Sequence, residues 1–290
     1  MNLSMYSGFS DIVKNEGIEA AAKTAQRLGF NTVEFIDMQS RANIIPDVKT
    51  AREYKKVLAE HGLTVACFSF GISVINPAEP NYPTEDAVNR LLFSAEMAAE
   101  VGSPYFHHTL ILTLSCDKSK YDTNFASVTE RLLPHVCRVA DRCAELGVTA
   151  LYEPQGFYVN GKDRFPEFYR AVKAKCRNVG VCGDIGNPYF CDWKGENFVT
   201  EMAKEIRHVH LKDYKLYTAD ILPEGAKAYT SMNGTKLLPA LMGKGDIDIA
   251  YCIDRLTQIG YTGAYAFESE YRATEEIAQD VAYIKSLIEN

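Results

Sequence analysis

The size, composition and charge of the chain exclude several classes of protein. It has 290 residues, of which 47% are hydrophobic and 24% charged, and its formal net charge is −7 at pH 7. A chain of this length can form one α/β barrel, and its apolar content argues against disorder. The acidic balance argues against a nucleic-acid partner, and no apolar stretch is long enough to span a membrane.

The cysteines and the first residues predict a cytoplasmic protein. No two of the eight cysteines form a Cys-x-x-Cys pair, and they are scattered through apolar segments. We therefore expect reduced thiols rather than disulfides or a structural zinc site. The start of the chain, Met-Asn-Leu-Ser-Met-Tyr, lacks the basic and apolar regions of a signal peptide.

Short apolar runs alternate with helical segments along the chain. A glycine precedes several runs, as Gly29 and Gly62 do, and a glycine just past a helix supplies the left-handed cap conformation. The links after the runs are longer, for example residues 71–83 and 213–243. This asymmetry predicts an α/β fold, a single (β/α)8 TIM barrel over residues 1–290. The predicted strands are residues 3–6, 32–35, 64–70, 105–108, 149–153, 179–184, 208–212 and 264–268.

Two helices carry specific predictions. Apolar residues recur at three- and four-residue spacing over residues 124–146, which predicts an amphipathic helix. Pro134 lies near its middle and predicts a kink or a break. Thr274 and the two glutamates after it predict the start of the last helix. A doubly wound sheet is the rival fold, but the first strand is followed by Ser-Gly-Phe-Ser instead of a glycine-rich phosphate turn.

Four successive strands end in a residue that can bind a metal ion: Glu153, Asp184, His210 and Glu268. Because side chains alternate along a strand, these four face the barrel interior at the same rim. Three carboxylates gathered there repel one another, and a divalent cation is the natural counter-charge. This oxygen-rich set suits Mn²⁺, Mg²⁺ or Co²⁺ and can also hold Zn²⁺. We predict that the four residues bind one divalent metal ion.

Three motifs carry a family resemblance. They are His-Val-His-Leu-Lys-Asp at 208–213, Gly-Lys-Gly-Asp-Ile-Asp at 243–248, and Gly-Tyr-Thr-Gly at 260–263, which leads to Phe-Glu-Ser-Glu at 267–270. With them the chain resembles the xylose-isomerase-like barrels, a sugar isomerase and epimerase superfamily that includes endonuclease-IV-like enzymes. The resemblance implies that Glu153, Asp184, His210 and Glu268 bind one metal ion. It also implies that Glu153 and Glu268 are the catalytic residues that exchange the substrate proton.

Two departures from the family pattern bear on the substrate. Asn187 stands where ketose 3-epimerases of this family have a histidine, three residues after the metal aspartate. The stretch from Lys212 to Leu216 lacks the arginine that those epimerases carry after the metal histidine. Both family residues contact substrate hydroxyls, so the departures argue against an epimerase of free ketoses.

Further residues are candidates for substrate binding. Asn187 can hydrogen-bond a sugar hydroxyl, and Lys212 can hold an anionic group or be a solvated strand-end charge. Tyr6 ends the first strand and is expected to line the pocket. Only one of His107 and His108 can face inward, and that one either contacts substrate or is a structural histidine; we assign the substrate contact to His108. Trp193 lies in the loop after strand six, where its ring either packs on a sugar face or packs within the loop.

The predicted function is a divalent-metal-dependent sugar isomerase or epimerase. It would abstract a proton next to a carbonyl through a metal-stabilised enediolate. A lyase that dehydrates a keto-inositol and a non-catalytic sugar-binding protein are the alternatives. An endonuclease-IV-like hydrolase is disfavoured, because the chain has only six histidines and none at the end of strand three. The expected partner is a small sugar or sugar derivative, with no nucleic acid and no membrane, and with self-association into homodimers or homotetramers.

Overall fold

The predicted (β/α)8 fold is confirmed. A computed structural model describes residues 1–38, 43–72, 83–110, 124–218, 221–269 and 273–288. Eight parallel strands close into a barrel in the spatial order β1-β11-β7-β6-β5-β4-β3-β2. Each predicted strand is present, with only small shifts at its ends. The barrel strands are β1 (Asn2–Met5), β2 (Thr32–Met38), β3 (Thr64–Gly71), β4 (Tyr105–His108), β5 (Thr149–Tyr152), β6 (Val179–Asp184), β7 (Ile206–Leu211) and β11 (Ala264–Phe267).

Nine α-helices lie in the described part of the chain. The amphipathic helix predicted over residues 124–146 is α5, and the Asn124 side chain caps it by accepting the backbone N–H of Ser127 at 3.2 Å. The helix runs through Pro134 without a break. The last helix begins at Thr274, as predicted. The helices are α1 (Phe9–Glu16), α2 (Ile18–Leu28), α3 (Val48–Glu60), α4 (Glu85–Val101), α5 (Phe125–Glu145), α6 (Gly161–Lys175), α7 (Gly195–Met202), α8 (Ile249–Gln258) and α9 (Thr274–Ile288).

The link over residues 213–243 is structured. It contains β8 (Asp213–Tyr217), β9 (Tyr229–Thr230) and β10 (Lys236–Ala240), which form a separate antiparallel sheet in the order β8-β10-β9. Rings of Tyr214 and Tyr229 pack against Phe190, in the turn after β6. The sheet is therefore fixed beside the carboxyl ends of the barrel strands.

Some sequence predictions concern residues outside the described part. Most of the long link at 71–83 lies there, as do Cys116 and Glu270. No disulfide joins the seven described cysteines, as expected. Among the helices described above, none has both the length and the apolar character that a membrane span requires.

The barrel interior is layered, as the alternation of side chains requires. Cys67, Leu151 and Cys182 form a small apolar cluster that is separate from the main core. Two residues further along their strands come Ser69, Glu153 and Asp184. The main core lies outside the barrel, between strands and helices, where for example Tyr152 packs edge-on against Phe168 of α6. A rigid apolar frame therefore holds a polar group of side chains at one end of the barrel.

Candidate metal centre

The four predicted ligands converge at the carboxyl ends of β5, β6, β7 and β11. Each offers one atom, and these atoms all lie within 4.8 Å of one another. His210 Nδ1 is 2.9 Å from Glu153 Oε1 and 2.9 Å from Glu268 Oε2. It is 4.0 Å from Asp184 Oδ2. Glu153, Asp184 and His210 are buried, whereas the Glu268 side chain is 27% exposed. The site therefore opens to solvent on the side of Glu268.

Asp184 is oriented by the turn that follows it. Its Oδ1 accepts the backbone N–H groups of Gly186 and Asn187, each at 2.7 Å. This leaves Oδ2 directed into the site. Burial raises the pKa of Asp184 to about 8, with Glu268 and Glu153 adding to the rise and Lys212 opposing it.

The ammonium of Lys212 lies among these acids. Its Nζ is 2.7 Å from Asp184 Oδ2, 3.1 Å from Glu268 Oε2 and 3.1 Å from Asn187 Oδ1. Burial alone would lower the pKa of Lys212, but Asp184 and Glu268 raise it well above the usual value. The side chain passes over Gly186, where a Cβ would lie 2.4 Å from Lys212 Cγ. Lys212 is therefore a buried, charged member of the site and not a solvated strand-end residue.

Neighbouring charged groups shift the pKa of Glu268 and the pKa of His210 in opposite directions. Burial by itself would raise the pKa of Glu268, but Lys212 and His210 hold it below its usual range. Burial by itself would lower the pKa of His210, but Cys182, Glu34 and Glu268 raise it well above its usual value. Four carboxylates, those of Glu34, Glu153, Asp184 and Glu268, thus share a small volume with one lysine.

Glu153 is positioned by a residue that sequence reasoning did not single out. Gln155 Nε2 donates to Glu153 Oε2 at 2.9 Å, and Gln155 Oε1 accepts the backbone N–H of Leu110 at 3.2 Å. Because Leu110 fixes which end of the amide accepts, the Gln155 NH₂ group faces the carboxylate. The only sequence signal was the position of Gln155, two residues past a candidate ligand.

The substrate-binding candidates fall into two groups. The Tyr6 ring centroid lies 5.0 Å from that of His210, and Asn187 bonds Lys212, so Tyr6, Asn187 and Lys212 border the centre. Trp193 packs edge-on against Phe198 of α7 with ring centroids 5.3 Å apart. That packing accounts for its burial, and its substrate contact stays a prediction.

The assignment of a substrate contact to His108 needs correction, because His107 is the inward histidine. His107 Nδ1 lies 2.9 Å from Ser69 Oγ, and its Nε2 lies 3.8 Å from Glu153 Oε2. His108 packs instead against Tyr152, outside the barrel, with ring centroids 5.0 Å apart. Burial, with His107 nearby, lowers the pKa of His108 to about 3. Because side chains alternate between the two faces of a strand, the sequence predicts that one histidine of the pair faces inward, but it does not identify which one.

Beneath the four residues lies a second layer that the sequence indicated only weakly. Glu34, on β2, is fully buried, with Oε2 2.6 Å from His208 Nε2 and Oε1 3.2 Å from His210 Nε2. Ser69 Oγ donates to Glu34 Oε1 at 2.7 Å. Burial would raise the pKa of Glu34, but His210 and His208 hold it well below its usual value. The only signal in the sequence was the place of Glu34 near the end of the predicted strand 32–35.

The donor set fits a divalent cation. Metal–oxygen and metal–nitrogen bonds of about 2.0–2.3 Å allow ligand atoms around one ion to stand up to about 4.5 Å apart. The four residues offer three carboxylates and one imidazole with ligand atoms within 4.8 Å of one another, so only small side-chain shifts are needed to reach this condition. Among the described lysines and arginines, Lys212 is the one whose ammonium lies among these acids, and the excess negative charge that remains favours cation uptake. Glu153, Asp184, His210 and Glu268 could therefore hold such an ion.

A cleft at the opposite end of the barrel is lined by no carboxylate and no imidazole. It has a volume of about 550 Å³ and is lined by Tyr105, Ile206 and Gly263, at the amino ends of strands, and by the basic residues Lys204 and Arg207. Enzymes of this fold place their site at the carboxyl ends of the strands. The acidic centre is thus the candidate active site.

Comparison with known proteins agrees with this architecture. The family model described as xylose isomerase-like TIM barrel matches residues 22–287. The chain belongs to this family. No curated protein sequence matches it.

Solved structures of the family share the fold across almost the entire chain. The IOLI protein with a bound zinc atom is 14% identical, with a TM-score of 0.74, and the alignment covers 100% of this chain and 98% of that one. The probable 3-DHS dehydratase AsbF from Bacillus anthracis is 12% identical, with a TM-score of 0.72 and coverage of 98% and 99%. An L-ribulose 3-epimerase is 17% identical, with a TM-score of 0.70 and coverage of 100% and 95%. At these identities the likeness shows the fold alone.

Proposed function

We propose that this protein is a divalent-metal-dependent isomerase or epimerase of a sugar or sugar derivative. The proposal rests on the contacts of two glutamates with one histidine. Glu153 Oε1 and Glu268 Oε2 each lie 2.9 Å from His210 Nδ1. They come from β5 and β11, which are not neighbours in the barrel. A substrate bound between them would present one face to each carboxylate. A zinc-binding structure and an epimerase among the structural neighbours support the proposal.

The metal ligands are proposed to be Glu153, Asp184, His210 and Glu268. A divalent cation held there would stabilise negative charge on a substrate oxygen next to the reacting carbon. Mn²⁺, Mg²⁺, Co²⁺ and Zn²⁺ all suit three carboxylates and an imidazole.

The two glutamates are proposed to handle the proton. One carboxylate removes the proton next to the carbonyl, and the other returns a proton from the opposite face, which inverts that carbon. Return to the neighbouring carbon gives an aldose–ketose isomerisation instead. Gln155 holds Glu153 in place, and the exposed edge of Glu268 faces the solvent from which substrate enters. Tyr6, Asn187 and Lys212 are proposed to contact substrate.

A lyase is the second candidate, and the position of Lys212 favours it. Elimination of water needs a proton donor for the departing hydroxyl group as well as a base for the carbon-bound proton. The Lys212 ammonium, 3.1 Å from Glu268 Oε2, could be that donor while Glu268 is the base. A keto-inositol or a related hydroxy-ketone is the expected substrate, and a dehydratase among the structural neighbours supports this candidate.

Proton exchange in D₂O tests the proposal. Protein loaded with Mg²⁺ is incubated with a panel of ketoses, sugar phosphates and keto-inositols, and the products are read by NMR. We expect deuterium at a carbon next to the carbonyl, and no label after EDTA treatment or with His210→Ala. An inverted centre, a moved carbonyl or a new double bond then identifies an epimerase, an isomerase or a lyase. Bound metal without exchange in any member of the panel would contradict the proposal.

A further inference from the structure

The two nitrogens of the His210 ring face two different sets of carboxylates. Nδ1 faces Glu153 and Glu268 in the proposed metal centre, with both contacts at 2.9 Å. Nε2 faces the other way, into the barrel, and lies 3.2 Å from Glu34 Oε1. Nδ1 is therefore the nitrogen that faces the proposed metal centre, and Nε2 is the nitrogen that must carry a proton when Nδ1 binds a metal ion there.

Glu34 is itself held on three sides. Its Oε2 is 2.6 Å from His208 Nε2, and its Oε1 accepts the Ser69 hydroxyl at 2.7 Å. An ionised carboxylate can only accept hydrogen bonds, so His208 and His210 must each donate from Nε2. Glu34 and His208 are both fully buried, so neither can turn away into water.

We propose that Glu34 is a positioning residue of the metal centre, which fixes His210 with its proton on Nε2 and its lone pair on Nδ1. This inference rests on the proposed metal centre. A histidine that binds a metal through one nitrogen usually donates the other N–H to a carboxylate or carbonyl oxygen, which fixes the ring and makes the ligand more basic. Glu34 supplies that acceptor from the opposite side of the barrel.

The same three side chains could instead be a second metal site. Glu34, His208 and His210 each offer an atom within 4.8 Å of the others. The 2.6 Å contact between Glu34 and His208 is a hydrogen-bond distance and is shorter than the roughly 3 Å that separates two ligand atoms on one ion. The contact favours a hydrogen-bonded pair, and the number of bound ions distinguishes the two readings.

Metal titration of matched variants tests the role of Glu34. Mn²⁺ alone is titrated into the protein, Glu34→Gln, Ser69→Ala and His210→Ala, by calorimetry, with circular dichroism as a check on folding. We expect one ion per chain and a loss of affinity of about 10- to 100-fold for Glu34→Gln. Ser69→Ala removes one hydrogen bond to Glu34 and the contact with His107 Nδ1, but it leaves the contact between Glu34 and His210 in place. Its loss of affinity should therefore be clearly smaller than that of Glu34→Gln.

The outcomes separate this inference from the proposed function. If the protein binds no metal, or if His210→Ala leaves the stoichiometry unchanged, the metal centre itself is refuted. If His210→Ala abolishes binding while folded Glu34→Gln binds as tightly as the unaltered protein, only the role of Glu34 is refuted. Two ions per chain would also overturn it, in favour of a second metal site.

A second measurement does not depend on Glu34→Gln and remains decisive if that variant does not fold. The ¹⁵N shifts of the histidine rings are recorded by NMR with Zn²⁺ bound, since Zn²⁺ is diamagnetic. His210→Ala identifies the His210 signals. We expect a protonated Nε2 and a metal-bound Nδ1 for His210. The opposite arrangement would overturn the inference.

Discussion

The Lys212 ammonium lies 2.7 Å from Asp184 Oδ2, inside the group of acidic side chains proposed to bind metal. It also lies 3.1 Å from Glu268 Oε2. A metal ion held by these two oxygens would meet a fixed positive charge beside it. The lysine therefore lowers the net negative charge of the centre and competes with a metal ion for two of its ligands.

Replacing this charge should strengthen metal binding. We expect Lys212→Met to bind Mn²⁺ about tenfold more tightly, a change of about 1.4 kcal/mol, while turnover falls because the proposed substrate contact of Lys212 is lost. Calorimetry and a turnover assay measure the two effects separately. Lys215→Met is the matched control, since Lys215 pairs with Asp246 on the surface and its loss should change neither quantity. An unchanged metal affinity in Lys212→Met would rule out competition by Lys212.

Each of the two glutamates proposed as catalytic should control the proton on one face of the substrate. For an epimerase, we expect Glu153→Gln and Glu268→Gln each to slow proton exchange by about 100- to 10,000-fold, one mainly for each epimer. Exchange with the separate epimers in D₂O, read by NMR, measures this. Glu100→Gln is the control, because Glu100 pairs with Arg52 at the surface. Equal loss for both epimers in both variants would contradict a two-base mechanism.

Metal affinity should rise with pH. In the metal-free protein, burial raises the pKa of Asp184 to about 8, and acidic neighbours raise that of His210 despite its burial. Both groups therefore hold protons near neutral pH, and a protonated group cannot bind metal, so raising the pH removes a competitor. We expect tighter Mn²⁺ binding at about pH 8 than at about pH 6.5, with proton release. Calorimetry in buffers of different ionisation enthalpy measures the Mn²⁺ affinity and the number of protons released. An affinity that falls as the pH rises would refute the prediction.

Asp213 should contribute to stability and not to metal binding. Its carboxylate accepts the backbone N–H groups of Gly243 at 2.9 Å, Gly245 at 2.9 Å and Ile247 at 3.2 Å. A Cβ at Gly245 would lie 2.0 Å from Asp213 Oδ1, so this close approach requires glycine. We expect Asp213→Asn to lower the free energy of unfolding by about 2–3 kcal/mol, because the amide NH₂ faces backbone donors.

Urea unfolding measures this loss, and metal titration should show an unchanged stoichiometry. Asp246→Asn is the matched control: Asp246 also accepts a backbone N–H, that of Leu216 at 2.8 Å, but at an exposed position. Asp246→Asn should therefore lower the free energy of unfolding by clearly less than Asp213→Asn does. Equal losses in the two variants would show that burial does not set the contribution of Asp213.

The sequence by itself determined the barrel and the convergence of four residues. Alternating helices and apolar runs, with short links before the strands, predict parallel strands whose carboxyl ends meet at one rim. Glu153, Asp184, His210 and Glu268 each close such a run, so their proximity follows from periodicity alone. These features are local in the chain, which is why one sequence suffices to find them.

Only the tertiary structure decided how the side chains around that centre are arranged. Glu34 and His208 are separated by 174 positions in the chain, and their 2.6 Å contact exists because the barrel closes. The choice of His107 over His108 depends on the register of β4 against its neighbours, which periodicity leaves open. Lys212 reached the acids because Gly186 leaves room for its stem. Periodicity fixes which rim a residue occupies, whereas strand register and close packing fix which atoms touch.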